Sequence, residues 1–181
     1  MKFKDYPYRD NDWIIVAINH GWKACEKQWD WLVCASDLRE KVKPIRHQGE
    51  VIFINSQYMA KKYEGTETIG RGSMLLGSYM IANELNPDIM GYLGADMNYT
   101  PDKNGNTHIY GVGRDVRRGC PDPDRIIEHE GGDPDYFAKK FKDFSYIMNV
   151  RCYNFSDDPE TRLPFEQVNP EDIDNVDIPP D

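Results

Sequence analysis

Residues 13–21 read WIIVAINHG. Trp13–Ile18 is an apolar run, too short for a helix and without polar alternation, and Asn19, His20 and Gly21 close it with turn residues. The pattern returns at residues 31–35 (WLVCA), closing on Ser36-Asp37, and at residues 51–54 (VIFI), closing on Asn55-Ser56. Strands buried on both faces have this composition, which is typical of parallel sheets.

Downstream, residues 72–85 (GSMLLGSYMIANEL) have helical periodicity. Met74, Leu75, Tyr79, Ile81, Ala82 and Leu85 form a broad apolar face, Ser73 is placed to cap the start, and Asn86-Pro87 ends the segment. Residues 89–93 (IMGYL) read as a fourth strand closing on Gly94-Ala95-Asp96. Residues 135–148 (DYFAKKFKDFSYIM) read as a second helix, with Tyr136, Phe137, Phe141, Phe144, Ile147 and Met148 on its apolar side. Residues 150–153 (VRCY) read as a fifth strand closing on Asn154-Phe155-Ser156. Strands, helix, strand, long polar loop, helix, strand is the order of an α/β fold with a mainly parallel sheet. In such sheets ligands bind beyond the carboxyl ends of the strands.

Length and composition fit this reading. A chain of 181 residues, 39% hydrophobic and 29% charged, suits one globular domain with a real core. The expected organisation is an N-terminal extension over 1–12, a single domain over 13–168 and an acidic tail over 169–181. The tail carries five acids, no base and three prolines, so it reads as mobile and solvated; without those five acids the formal charge of −9 falls to −4. The acidic balance argues against a general nucleic-acid binder. The N-terminus has no apolar run of the signal-peptide kind, and no stretch approaches the length of a membrane span. Cys25, Cys34, Cys120 and Cys152 show no C-x-x-C spacing, and three of them lie in or beside apolar segments, which points to buried thiols in a reducing cytoplasm. The sequons at Asn98 and Asn154 read as chance occurrences in that compartment.

Five strand ends carry small polar or charged residues. In a parallel sheet Asn19, Asp37, Asn55, Asp96, Asn154 and Ser156 converge on one rim, where amides and hydroxyls suit a base or ribose. Ordinary turn chemistry is the alternative for each taken alone. Gly70-Arg71-Gly72-Ser73 precedes the first helix, and the backbone at Gly72 and Ser73 is a candidate phosphate cradle; a plain flexible start to the helix is the alternative. The segment is neither a P-loop nor a full dinucleotide fingerprint, which counts against ATPase and dehydrogenase readings. The stretch 94–118 holds Asp96, Tyr99, His108, Tyr110, Arg114 and Arg117 and is long enough for a functional lid. There His108 is a candidate general base, and Tyr110, Arg114 and Arg117 are candidates to stabilise a departing phosphate. A surface loop with an exposed, inert histidine is the alternative. Asp96, His108 and Glu128-His129-Glu130 lack a standard metal-ligand spacing, so no metal site is assigned.

In order, the chain resembles the Rossmann-like family that includes Campylobacter-type sialyltransferases and archaeal pterin pyrophosphokinase-like proteins. The resemblance rests on WIIVAIN, DWLVCASD, GSMLLGSYMIANELNPDIMGYLGADMNY, GNTHIYG and VRCYNFSDDPETRLPF, short motifs spread over residues 13–165. It implies a three-layer Rossmann-like fold. It also implies that Asn19 and Asn55 contact the nucleotide and that Ser73 with nearby amides holds phosphate or ribose. Asp96 would position a sugar or base, and the Tyr99–His108 loop would carry the transfer chemistry. The chain departs from the family in lacking a G-x-G-P-S type phosphate loop before Trp13, and in a short acceptor lid.

Three functions are open at this point. The first is a transferase moving a sugar from a nucleotide-sugar to a hydroxyl acceptor, with His108 as base, Asp96 and Tyr99 beside it, and no metal required. The second is a pyrophosphokinase-like phosphotransferase using ATP and Mg²⁺, with Asp37 and Asp96 near the ion. The third is a protein that binds or sequesters a nucleotide without turnover. The aromatic content (Trp 4, Tyr 11, Phe 7) leaves room for an interface with a second copy.

Overall fold

A computed structural model describes residues 13–25, 29–35, 50–63, 72–95, 97–98, 100–107, 133 and 135–175. The chain divides into two compact units.

The first unit contains a three-stranded sheet. Its strands are β1 (Val16–Ile18), β2 (Trp31–Ala35) and β3 (Glu50–Ile54), in the order β1-β2-β3, and all pairs are parallel. The register pairs Ile18 with Val33 and Ala35 with Ile54, so all three chains leave the sheet at one edge. Leu32, Val33 and Cys34 of the central strand are fully buried, as a two-sided apolar strand should be. On β3, at the sheet's edge, only Ile54 is buried and Val51, Ile52 and Phe53 are half-buried.

A 3₁₀ turn (Asn19–Gly21) and a short helix α1 (Trp22–Cys25) follow β1, and α2 (Ser56–Lys62) follows β3. The helix α3 (Ser73–Leu85) comes next and ends at Asn86, whose φ of 44° is the left-handed C-cap conformation that asparagine tolerates. Leu75, Leu76, Tyr79, Met80, Ile81 and Ala82 are all buried, more of the circumference than one stripe. Ser78, also buried, donates its hydroxyl to the Met74 carbonyl at 2.9 Å and so satisfies itself within the helix.

The second unit has its own parallel sheet: β4 (Ile89–Tyr92), β5 (Arg151–Asn154) and β6 (Glu166–Gln167), in that order. The helix α4 (Tyr136–Met148) precedes β5. Phe141 and Phe144 of α4 are buried, whereas Ile147, expected on the apolar side, is 65% exposed. At 100° per residue Met148 lies about 20° from Phe141 around the helix and Ile147 about 120° from it, beyond a single apolar face. Tyr92 of β4 meets Phe141 edge-on at 5.6 Å and stacks on Phe165 at 5.4 Å, and Phe141 meets Phe165 at 6.0 Å. Leu163 is buried as well, so the Leu163-Pro164-Phe165 segment packs the core of this unit. Gly91 lies directly beneath the Phe155 ring: a Cβ there would stand 1.8 Å from Phe155 Cε2. The acidic stretch read as mobile begins with a 3₁₀ helix (Pro170–Asn175) in which Ile173 is buried.

Candidate functional site

At the carboxyl edge of the first sheet, two asparagines immediately follow strands. Asn19 has a φ of 52°, a left-handed conformation that asparagine adopts more readily than most residues. That turn points its Oδ1 at β2, where it accepts the Ala35 N–H at 2.9 Å. The Cys34 thiol lies 3.8 Å from the Asn19 carbonyl oxygen, to which it donates. Asn19 thereby ties the end of β1 to the end of β2. Asn55 follows β3 in extended conformation, and its Oδ1 accepts the Tyr58 N–H at 2.8 Å, which caps α2. In both residues the acceptor end of the amide is engaged by the fold. Among the described residues neither Nδ2 group has a hydrogen-bond partner. The edge therefore presents two amide donors and suits a ligand rich in acceptors.

The start of α3 bears on the same edge. The expectation that Ser73 caps the helix is corrected: Gly72 occupies the N-cap position and Ser73 is the first helical residue. Gly72 has a φ of 104°, open to glycine and costly for other residues, and it offers no side chain to cap the first-turn N–H groups. The first backbone bond across the start runs from the Leu76 N–H to the Gly72 carbonyl at 3.0 Å. Four residues into the helix, Gly77 lets the backbone approach the sheet closely. A Cβ there would stand 3.1 Å from Ile18 Cδ1 and 3.6 Å from Val33 Cγ1, so this early turn rests on the last residue of β1. Near the other end of α3, Glu84 accepts hydrogen bonds from Tyr63 and, at 2.8 Å, from Lys62, both at the end of α2. Glu84 holds Lys62 above the usual ammonium range, and Lys62 holds Glu84 below the usual carboxylate range. Burial, followed by the bond to Glu84, pushes Tyr63 up to about 12.

In the second unit the candidate residues serve the fold. Asn154 is fully buried at the end of β5; its Nδ2 donates to Thr161 Oγ1 at 3.0 Å and its Oδ1 accepts the Ser156 N–H at 3.0 Å. Ser156 Oγ accepts the Asp158 N–H at 3.1 Å. Gln167 of β6 donates its Nε2 to the Ser156 carbonyl at 3.1 Å and to the Asp158 carbonyl at 2.8 Å. Asn154 and Ser156 thus build the turn that leaves β5. Asn98, notable in the sequence only as a sequon, and Asp158, which carries no sequence motif, join in that turn: Asn98 Nδ2 donates to Asp158 Oδ2 at 2.8 Å and to the Glu160 carbonyl at 3.1 Å. The available signal was the dense spacing of Ser156, Asp158 and Thr161, side chains that commonly accept backbone N–H groups two residues on.

Asp37, Asp96, Tyr99, His108, Tyr110, Arg114 and Arg117 lie outside the described residues, as do Cys120 and the Glu128-His129-Glu130 cluster; Ser73 and Cys25 are described in their backbone only. Cys34 and Cys152 are buried free thiols. Among the described residues there is no group of three His, Cys, Asp or Glu able to hold a metal, and no helix is long and apolar enough to cross a membrane. Compared with known proteins, the chain matches no family model, no curated protein and no solved structure.

Proposed function

We propose that the chain is a transferase that binds a nucleotide-activated donor, most simply a nucleotide-sugar, at the carboxyl edge of the β1–β3 sheet. The observation that carries the reading is the juxtaposition there of two amide donors, on Asn19 and Asn55, with α3, whose N-terminus no side chain of Gly72 caps. Phosphate and nucleobase carbonyls are acceptors, and a helix N-terminus favours an anion. In this reading α3 runs with its N-terminus toward the strand ends, consistent with Gly77 against Ile18 and Glu84 against Lys62 and Tyr63. Each sheet, taken by itself, is parallel and sequential in order, as each half of a doubly wound sheet is, and the finer fold reading is three-layer Rossmann-like. The free thiols Cys34 and Cys152 suit a reducing cytoplasm.

The chemistry follows the family resemblance. His108 takes the proton of the acceptor hydroxyl, whose oxygen attacks the anomeric carbon as the bond from that carbon to the phosphate oxygen breaks. The nucleotide leaves as an anion, with Tyr99, Tyr110, Arg114 and Arg117 stabilising its charge and Asp96 orienting the sugar. No metal enters this scheme.

The test is a thermal-shift and hydrolysis screen with UDP-glucose, GDP-mannose, CMP-N-acetylneuraminate and ATP with Mg²⁺. A ligand at a hundred times its Kd stabilises the folded state by about 2.7 kcal/mol, a readily measured rise in Tm. Stabilisation and slow hydrolysis by one nucleotide-sugar, with hydrolysis lost in His108→Ala and affinity retained, is the expected result. Stabilisation without turnover would identify a nucleotide-sequestering protein, turnover of ATP with Mg²⁺ would identify a phosphotransferase, and no stabilisation by any of the four would refute the proposal.

A further inference from the structure

We infer that Asn55 selects the base of the bound nucleotide, so that the site takes the oxo bases uracil and guanine in preference to the amino bases cytosine and adenine. The inference rests on the nucleotide-binding reading above and adds to it which nucleotides fit.

Both amides at this edge are oriented by what they bond. Each meets a backbone N–H, that of Ala35 at 2.9 Å from Asn19 and that of Tyr58 at 2.8 Å from Asn55, and only the Oδ1 end of an amide accepts. The Nδ2 end is then the end presented outward from these bonds, and it can only donate. Asn19 stands after β1 and Asn55 after β3 with β2 between them, so strand spacing alone separates them by about 10 Å. They are also staggered: Ile18 is level with Val33, and Ile54 with Ala35, two residues further on. A single phosphate group does not span that distance, so the two amides take different parts of one nucleotide. Gly77 sets the early turn of α3 against Ile18, the residue before Asn19, which puts the phosphate at the Asn19 end. Asn55, exposed at the other end, is left to meet the base. An asparagine with both amide ends available pairs with adenine, donating to a ring nitrogen and accepting from the amino group. With its Oδ1 held on the Tyr58 N–H, Asn55 offers a lone donor. Uracil and guanine carry an exocyclic oxygen, O4 or O6, that accepts from it. Cytosine and adenine carry an amino group in that place, which sets donor against donor.

The test is calorimetric titration of the full chain with UDP-glucose, GDP-glucose, CDP-glucose and ADP-glucose, which differ in the base alone. The wild type is expected to bind the uridine and guanosine compounds about tenfold more tightly than the other two. In Asn55→Asp a carboxylate oxygen replaces the donor while the capping oxygen stays, and the order is expected to reverse. Asn55→Ser keeps a helix cap and removes the amide, and its four affinities are expected to lie within about threefold of one another. Urea midpoints show that both variants fold. Equal binding of all four by the wild type, or tighter binding of the amino bases, overturns base selection while the nucleotide-binding reading stands. The wild-type order kept in both variants overturns the role of Asn55. Binding of none of the four, with CMP-N-acetylneuraminate bound in the screen above, also overturns the selection and leaves that reading standing, whereas no binding in either set overturns both.

Discussion

Replacing Gly91 with alanine adds one carbon where the structure has no room for it. The new Cβ would stand 1.8, 2.3 and 2.6 Å from three ring carbons of Phe155, against the ~3.5–4.0 Å of an ordinary carbon contact. Either the ring or the strand must move by about 1.7 Å. The ring cannot move freely, because Phe155 is buried and its own N–H is bonded to the Tyr92 carbonyl at 2.8 Å, and the strand cannot, because Gly91 is paired with Tyr153 across β4 and β5. Overpacking of a core costs about 1–3 kcal/mol and full loss of a buried phenylalanine about 3–5 kcal/mol. We therefore expect Gly91→Ala to destabilise by about 2–4 kcal/mol in urea denaturation. The decisive comparison is a double-mutant cycle. In a Phe155→Ala background the obstruction is gone and the alanine gains strand propensity, so Gly91→Ala should cost under about 1 kcal/mol, giving a coupling of at least ~1 kcal/mol. Effects that add to within about 0.5 kcal/mol would refute the packing argument.

Other outcomes follow from the same structure. Asn55→Ala should lose the cap of α2 and about 0.5–2 kcal/mol, whereas Asn55→Asp keeps the capping oxygen and should hold stability to within about 0.5 kcal/mol while weakening nucleotide affinity; parallel denaturation and calorimetric titration separate the two roles. Burial pushes the Cys152 thiol up to about 11, so the folded state keeps a proton that the unfolded chain releases. Its contribution is whole below about pH 9 and is lost as pH rises from there toward 11, by up to about 3 kcal/mol; urea midpoints at pH 7.5, 9 and 10.5 should fall more steeply in the wild type than in Cys152→Ala. Glu84→Gln removes a carboxylate shared by Lys62 and Tyr63 on an exposed surface and should cost no more than about 1 kcal/mol by the same assay.

The elements that were legible in the sequence are those whose environment leaves a mark on composition. Residues 31–35 read as a strand and form β2, because a central strand covered on both faces must be apolar throughout. The helices at 72–85 and 135–148 were likewise placed to within one residue. Boundaries failed where a side chain takes over from the ladder. Trp13–Ile15 read as strand, yet pairing begins at Val16, since the Ile15 N–H donates instead to the Asp30 carboxylate at 2.9 Å. Asn154 read as a residue beyond the strand and is its last member, held there by Thr161 and Ser156. β6 was invisible because it is two exposed polar residues, and α2 because seven residues carry too little periodicity, although Asn55 was in place as its cap. For the site, the strand-end asparagines were visible as residues, but composition cannot tell an amide engaged on one side from one engaged on both. Asn19 and Asn55 keep a donor without a partner among the described residues, whereas Asn154 uses both ends.

The central claim is that the edge formed by Asn19, Asn55 and the start of α3 receives a phosphorylated nucleotide. Titration of ¹⁵N-labelled protein with UDP-glucose, GDP-mannose and CMP-N-acetylneuraminate, followed by NMR, reads it most directly. We expect the side-chain NH₂ signals of Asn19 and Asn55 and the backbone amides of residues 73–75 to shift together and saturate with a single Kd for one of the three. Saturable shifts confined to other residues, or none with any of them, would contradict the account.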